Sequence, residues 1–160
     1  MSQTATADEP IDHVQDAAAA AAGTDDRERL AIVEQFVCEA ARLCRDTRCS
    51  DVKVIDVTGH SQLTDYVLLA TGTSDRQLRT VMDDLYDLAD ERGIPHLGGR
   101  QRHGTMNTSW VAIDFIDVMA HLFSSEARGY YDLDSLHAEG RLVKWAEDEP
   151  AADGDGSAEG

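Results

Sequence analysis

The segment from Trp110 to Phe123, WVAIDFIDVMAHLF, constrains the fold of this chain more than any other. Its two runs, Trp110 to Phe115 and Asp117 to Phe123, alternate side chains as the strands of an antiparallel hairpin do. One face collects Val111, Ile113 and Phe115 with Val118, Ala120 and Leu122, all apolar, so helices must cover it. The opposite face presents Trp110, Ala112 and Asp114 with Asp117, Met119 and His121. A large aromatic, a thioether and ionisable groups together suit an interface better than a dry core.

The rest of the chain supplies what such a hairpin must pack against. Leu30, Val33, Phe36, Val37, Ala40, Leu43 and Cys44 recur at three- and four-residue steps, which predicts a helix from about Leu30 to Arg45. Val52 to Val57 and Thr64 to Thr71 are short runs rich in β-branched residues around a Gly59-His60-Ser61 connection, and read as paired strands. Ser74-x-x-Gln77 has the capping-box pattern, with Gln77 expected to reach back to the Ser74 N–H; Gly72 is expected to permit the turn. Leu78, Val81, Met82, Leu85 and Leu88 then form the apolar face of a second helix, which Gly93 and Pro95 should end. A short strand is expected at His96 to Gly98, a polar loop from Gly98 to Ser109, and a final helix from about Ser125 to His137. Tyr130 and Tyr131 are expected to anchor that helix to the sheet.

Charge separates the middle of the chain from its ends. Of a net charge of −17 over 160 residues, residues 1–29 and 147–160 account for 13 acidic and 2 basic side chains. The expected organisation is therefore a disordered acidic extension at 1–28, one domain at 29–146 and a disordered acidic tail at 147–160, with transient helix in the run Ala17 to Ala22 ahead of a break at Gly23. An acidic chain is poorly suited to gripping nucleic acid, whose affinity comes from Lys and Arg displacing counterions, so little direct nucleic-acid contact is expected. No apolar run approaches the ~20 residues that cross a bilayer, and the N-terminus has neither a secretory nor an Arg-rich transit pattern, which points to a prokaryotic cytoplasm. Cys38, Cys44 and Cys49 lack a C-x-x-C pair and read as free thiols; a zinc site of Cys44, Cys49 and His60 is the weaker alternative.

Enzyme chemistry has one foothold. Gly72-Thr73-Ser74 leads into a helix N-terminus, a place that binds phosphate, but no Asp-x-Asp follows on a strand to hold magnesium, and Asp65 and Asp75 are too differently placed to substitute. Helix capping accounts for the same residues. The series Asp83, Asp84, Asp87, Asp90 and Glu91 reads as a solvated helix face. His121 has a structural reading, hydrogen-bonded to Asp114 or Asp117, beside a functional one. Trp110 could be a core aromatic, although its parity opposes Val111 and Ile113. A self-associating module using the Trp110 face is a third possibility, leaving a homodimer open for the free protein.

Thr64-Asp65-Tyr66, Gly72-Thr73-Ser74 with Arg76, and Trp110 through Tyr131 with Asp117, His121 and Tyr130-Tyr131-Asp132-Leu133 together resemble the ribosomal silencing factor (Iojap-like) family, over about residues 30–137. The resemblance implies an α+β fold with nucleotidyltransferase-like topology, a mixed β-sheet carrying its helices mainly on one face. It further implies a translational repressor, not an enzyme, with no cofactor or metal. Such a protein binds the large ribosomal subunit through ribosomal protein L fourteen and sterically blocks joining of the small subunit, as under nutrient limitation. The resemblance assigns partner contact to Trp110; Asp114, Asp117, Met119 and His121 join it by sharing its face. Three departures stand out: Ile116 occupies a hairpin turn where relatives usually carry Gly, the loop after Gly98 reads Gly99-Arg100-Gln101-Arg102-His103, and the acidic ends lie outside the common domain. A non-glycine at that turn must either avoid a positive φ or be strained.

Overall fold

The computed structural model describes residues 11–98 and 109–147, with side chains from Asp25 onward. The expected polar loop and its Arg100-to-His103 stretch fall outside the described residues, apart from the ends of that loop. Two compact units divide the chain, residues 1–32 and residues 33–160.

The described part of the first unit is helical. It belongs to α1, Ile11–Asp46, which starts well before the expected Leu30 and includes both the alanine run and Gly23. The helix thus runs through Gly23, where a break was expected. Alanine is the strongest helix former, and its run offsets the roughly 1 kcal/mol that one interior glycine costs.

In the second unit, α1 turns Val33, Phe36, Val37, Ala40, Ala41 and Cys44 inward, all nearly inaccessible, while Leu43 lies at the edge of the stripe. Strands β1 (Ser50–Asp56) and β2 (Tyr66–Gly72) pair antiparallel as expected. Helix α2 (Asp75–Arg92) follows, capped by Ser74, whose side chain accepts from Gln77 N, and closed by Gly93 at φ 69°. The return bond of the capping box is displaced by one residue. Gln77 Oε1 accepts from Thr73 N at 2.6 Å, and Gln77 Nε2 donates to Thr47 O at 2.8 Å, tying α2 to the end of α1. Gly72 also serves differently than expected: a Cβ there would lie 2.5 Å from Leu78 Cδ2, so any side chain at this position would have to displace Leu78 of α2.

Strands β3 (Trp110–Asp114) and β4 (Val118–Ser124) form the expected antiparallel hairpin, with Ala112 opposite His121 and Trp110 opposite Phe123. The strand expected at His96 to Gly98 reduces to one bridge, Leu97 to Asp114. The expected last helix is two: α3 (Ser125–Tyr131) and α4 (Leu133–Leu136), divided at Asp132, whose φ of 47° ends one helix and whose side chain accepts from Ser135 N to start the next. A short β5 (Arg141–Leu142), absent from the sequence expectations, adds to the far edge.

The order β3-β4-β2-β1-β5 makes a mixed sheet, with β2 and β4 parallel and the other pairs antiparallel. The chain is thus α+β. Register places Val54, Leu68, Ala120, Leu122, Val111 and Ile113 on one face, with the apolar stripes of α1 and α2. Phe36 meets Phe115 edge-on at 5.1 Å, and the Tyr66 hydroxyl donates to Glu34 Oε2 at 2.9 Å. Helices mainly on one face is correct for the two long ones only. On the second face, Ile55, Val57, Val67, Leu69 and Phe123 form a buried cluster with Ala127 of α3, against which Trp110 and Leu133 pack. Every residue of β2 is accordingly buried.

Candidate functional site

The second sheet face is divided. Its upper part is held under α3 and α4 by Arg128, a buried side chain whose Nε and Nη2 reach Asp134 Oδ2 and Oδ1 at 2.8 and 3.0 Å. Its Nη1 donates to Asp51 O at 2.8 Å and Thr71 Oγ1 at 2.9 Å, so one guanidinium ties α3 and α4 to β1 and β2. Lys53 adds a second cation, 2.9 Å from Asp134 Oδ1. Arg128 first, and Lys53 with it, hold the Asp134 carboxyl well below the usual range. It is Arg128, then, more than Tyr130 or Tyr131, that anchors α3: Tyr130 is 81% exposed, and Tyr131 leans on Trp110 at 4.5 Å between ring centroids.

The rest of the face carries the expected docking residues. Ala112 is exposed, and Asp114, Asp117, Met119 and His121 are half-buried. Trp110 stands at the boundary with the covered part and is also half-buried. Its indole stacks on Phe123 at 5.4 Å and donates Nε1–H to His121 Nδ1 at 3.1 Å. The His121 ring therefore faces Trp110, where Asp114 or Asp117 was expected. Burial, aided by nearby His137, lowers the His121 pKa from 6.5 to about 4, so the ring is neutral at physiological pH.

The two aspartates flank the hairpin turn. Asp114 Oδ1 accepts from Ile116 N at 2.8 Å. Asp117 N donates to Phe115 O at 2.8 Å, closing a tight three-residue turn around Ile116 at φ 69°. The turn has kept its positive φ despite a β-branched residue, which makes it strained. Asp117 O accepts from Asp65 N and Tyr66 N at 3.0 and 3.1 Å, bringing the β1–β2 loop alongside. That loop carries Leu63, 86% exposed.

The structure thus places Trp110, Asp114, Met119 and His121 on one sheet face, with Asp117 in the adjoining turn, and adds Phe123 and Tyr131, which the sequence reading left out. Phe123 had the right parity, two residues beyond His121; nothing in local sequence brings Tyr131 to Trp110.

The other sharp readings meet their residues elsewhere. The thiols of Cys44 and Cys49 hydrogen-bond to each other, with the Cys49 pKa lowered by that bond and the Cys44 pKa raised by it. All three cysteines are free and buried. Among the described residues, no group of three His, Cys, Asp or Glu side chains is arranged to hold a metal, and no helix is long and apolar enough to cross a membrane.

Comparison with known proteins gives this geometry a family. Residues 31–159 match the family described as "Ribosomal silencing factor during starvation". The ribosomal silencing factor RsfS of Bacillus subtilis is 35% identical over 104 residues, covering 65% of this chain and 86% of that protein. The mitochondrial Iojap-related protein of Arabidopsis thaliana is 31% identical over 100 residues, covering 61% of this chain and 54% of its own length. A crystal structure of a Chromobacterium violaceum protein superposes with a TM-score of 0.58 at 26% identity, covering 74% of this chain and 95% of that one. With most of its length matched to a single family and its fold shared with a solved structure, this chain belongs to the ribosomal silencing factor family.

Proposed function

We propose that this protein docks on the large ribosomal subunit through ribosomal protein L fourteen, using the face around Trp110, and blocks joining of the small subunit. It would thereby repress translation in the cytoplasm when nutrients are limiting. Family membership supports the ribosomal setting. The observation that carries the choice of surface is the part of the second sheet face lying beyond α3 and α4, which keeps Ala112 exposed and Met119 half-buried, with Trp110 at its margin and two aspartates at its turn. Ribosomal proteins are generally basic, so Asp114 and Asp117 would steer the encounter while the indole supplies desolvated contact area.

The docking domain is residues 29–146, with the acidic segments 1–28 and 147–160 outside it, and contact with ribosomal RNA is slight because the chain carries a net charge of −17. The fold is read as nucleotidyltransferase-like without the chemistry, since capping and close packing account for Gly72, Ser74 and Gln77.

Co-sedimentation with isolated large subunits tests the proposal. The wild-type chain should pellet with them and lower the yield of joined ribosomes. Trp110→Ala should stay folded by circular dichroism and bind roughly thirtyfold more weakly, the loss expected for truncating a central interface tryptophan at about 2 kcal/mol. Normal binding by that variant would remove Trp110 from the site. A homodimer is the second reading, favoured by Ile116 and Tyr131, 41% and 46% exposed at the margins of the same face. Sedimentation of the free protein separates the two, because a dimer through Trp110 would dissociate on ribosome binding.

A further inference from the structure

Trp110 lies on the sheet with every polar atom of its side chain already engaged. The indole has one donor and no acceptor, and that donor is directed at His121 Nδ1, 3.1 Å away on the neighbouring strand. A ring nitrogen that accepts is unprotonated, so the His121 hydrogen sits on Nε2. The same imidazole stacks on Phe123 at 6.0 Å, with the ring planes 16° apart, and Phe123 is fully buried. The histidine is therefore itself seated on the core. Phe123 lies against the indole at 5.4 Å and Tyr131 at 4.5 Å.

We infer that His121 is a positioning residue of the docking face: it accepts the Trp110 N–H through Nδ1, fixes the indole in its docking orientation, and leaves ring carbon as the surface a partner meets. This rests on the docking reading above and assigns His121 a role through Trp110 instead of direct contact. A loose indole would lose rotamer freedom on binding, whereas one held beforehand has already lost it. It also sets the chemistry of the partner at the indole. A carbonyl or carboxylate would find no free donor on that ring, the nearest being the His121 Nε2–H beside it, so the group complementary to the indole itself is an apolar side chain, or the methylene stem of a lysine or arginine, laid against the ring.

The test uses the full chain and two substitutions at one position. In Asn the Oδ1 atom is bonded to Cγ as Nδ1 is in histidine, so His121→Asn keeps an acceptor near the same place; His121→Leu removes it. Hydrogen exchange of the Trp110 indole, followed by NMR in the free protein, should be slow in the wild type and in His121→Asn and about tenfold faster in His121→Leu. Titration against isolated large subunits should show His121→Leu binding roughly five- to tenfold more weakly, the loss of about one hydrogen bond, and His121→Asn within about twofold of wild type. A merely structural histidine would not be rescued by asparagine in both readouts. The inference is overturned if the wild-type indole exchanges as fast as free indole, if His121→Leu docks normally while Trp110→Ala does not, or if His121→Asn docks as poorly as His121→Leu. If Trp110→Ala itself docks normally, the docking reading has failed, and the role of His121 in docking fails with it.

Discussion

At the scale of single residues, the proposed docking face combines a satisfied group with a strained one. His121 is kept neutral by burial, which has a cost in acid. Its folded pKa of about 4 lies below the ordinary 6.5, so the unfolded chain takes up the proton first. Stability should decline as pH falls through 6.5 and stop declining from this source below about 4. Denaturant titrations across that range should show a shallower decline in His121→Asn, with the remainder coming from His137, whose pKa burial also lowers. An unchanged slope would mean that the ring is not buried as described. Ile116 is the strained group, at φ 69° and 41% exposed. Its left-handed conformation costs a β-branched residue about 1–2 kcal/mol, of which glycine's greater unfolded freedom returns part. Ile116→Gly should therefore raise stability by about 0.5–1 kcal/mol and the melting temperature by a few degrees, checked by thermal unfolding. A lower melting temperature would show that the isoleucine side chain contributes more than its turn costs.

At the scale of elements, the second sheet face is held by one arginine. Arg128 joins two short helices, neither long enough to be stable alone, to β1 and β2. Replacing it with methionine keeps much of its apolar bulk but leaves Asp134 only Lys53. Removing one partner of a buried charge pair typically costs about 3–5 kcal/mol, and the partial exposure of Asp134 places this case at the low end, about 3. Arg128→Met should lower the midpoint of chemical denaturation accordingly and quicken hydrogen exchange in α3 and α4 before α2. A loss under 1 kcal/mol would mean that the short helices are held by Ala127 and Leu133 packing alone. The contrasting case is α2, whose cap, apolar stripe and Gly93 stop all lie within its own sequence.

At the scale of the whole molecule, the strand-level pattern made the main architecture legible before any coordinates. Alternation in Trp110 to Phe123 separates the face under α1 and α2 from the face that carries the candidate site, because side chains two apart on a strand must share a side. Helical periodicity identifies α1 and α2, and the Ser74 and Gly93 signals locate the ends of α2, since these are interactions within a few residues. Alternation does not say what will cover a face. That depends on chain returning from elsewhere: α3 and α4, pinned by Arg128 to a carbonyl 77 residues away, and the strap behind β5, where Arg42 Nε donates to Trp145 O at 3.0 Å across 103 residues. By itself, then, the sequence determined the two faces of the hairpin and which of them bears Trp110, because strand parity is a local property. Only the tertiary structure decided that this tryptophan is half-buried, stacked on Phe123 and Tyr131 and hydrogen-bonded to His121, because those contacts depend on which distant segments close over the sheet and where they stop.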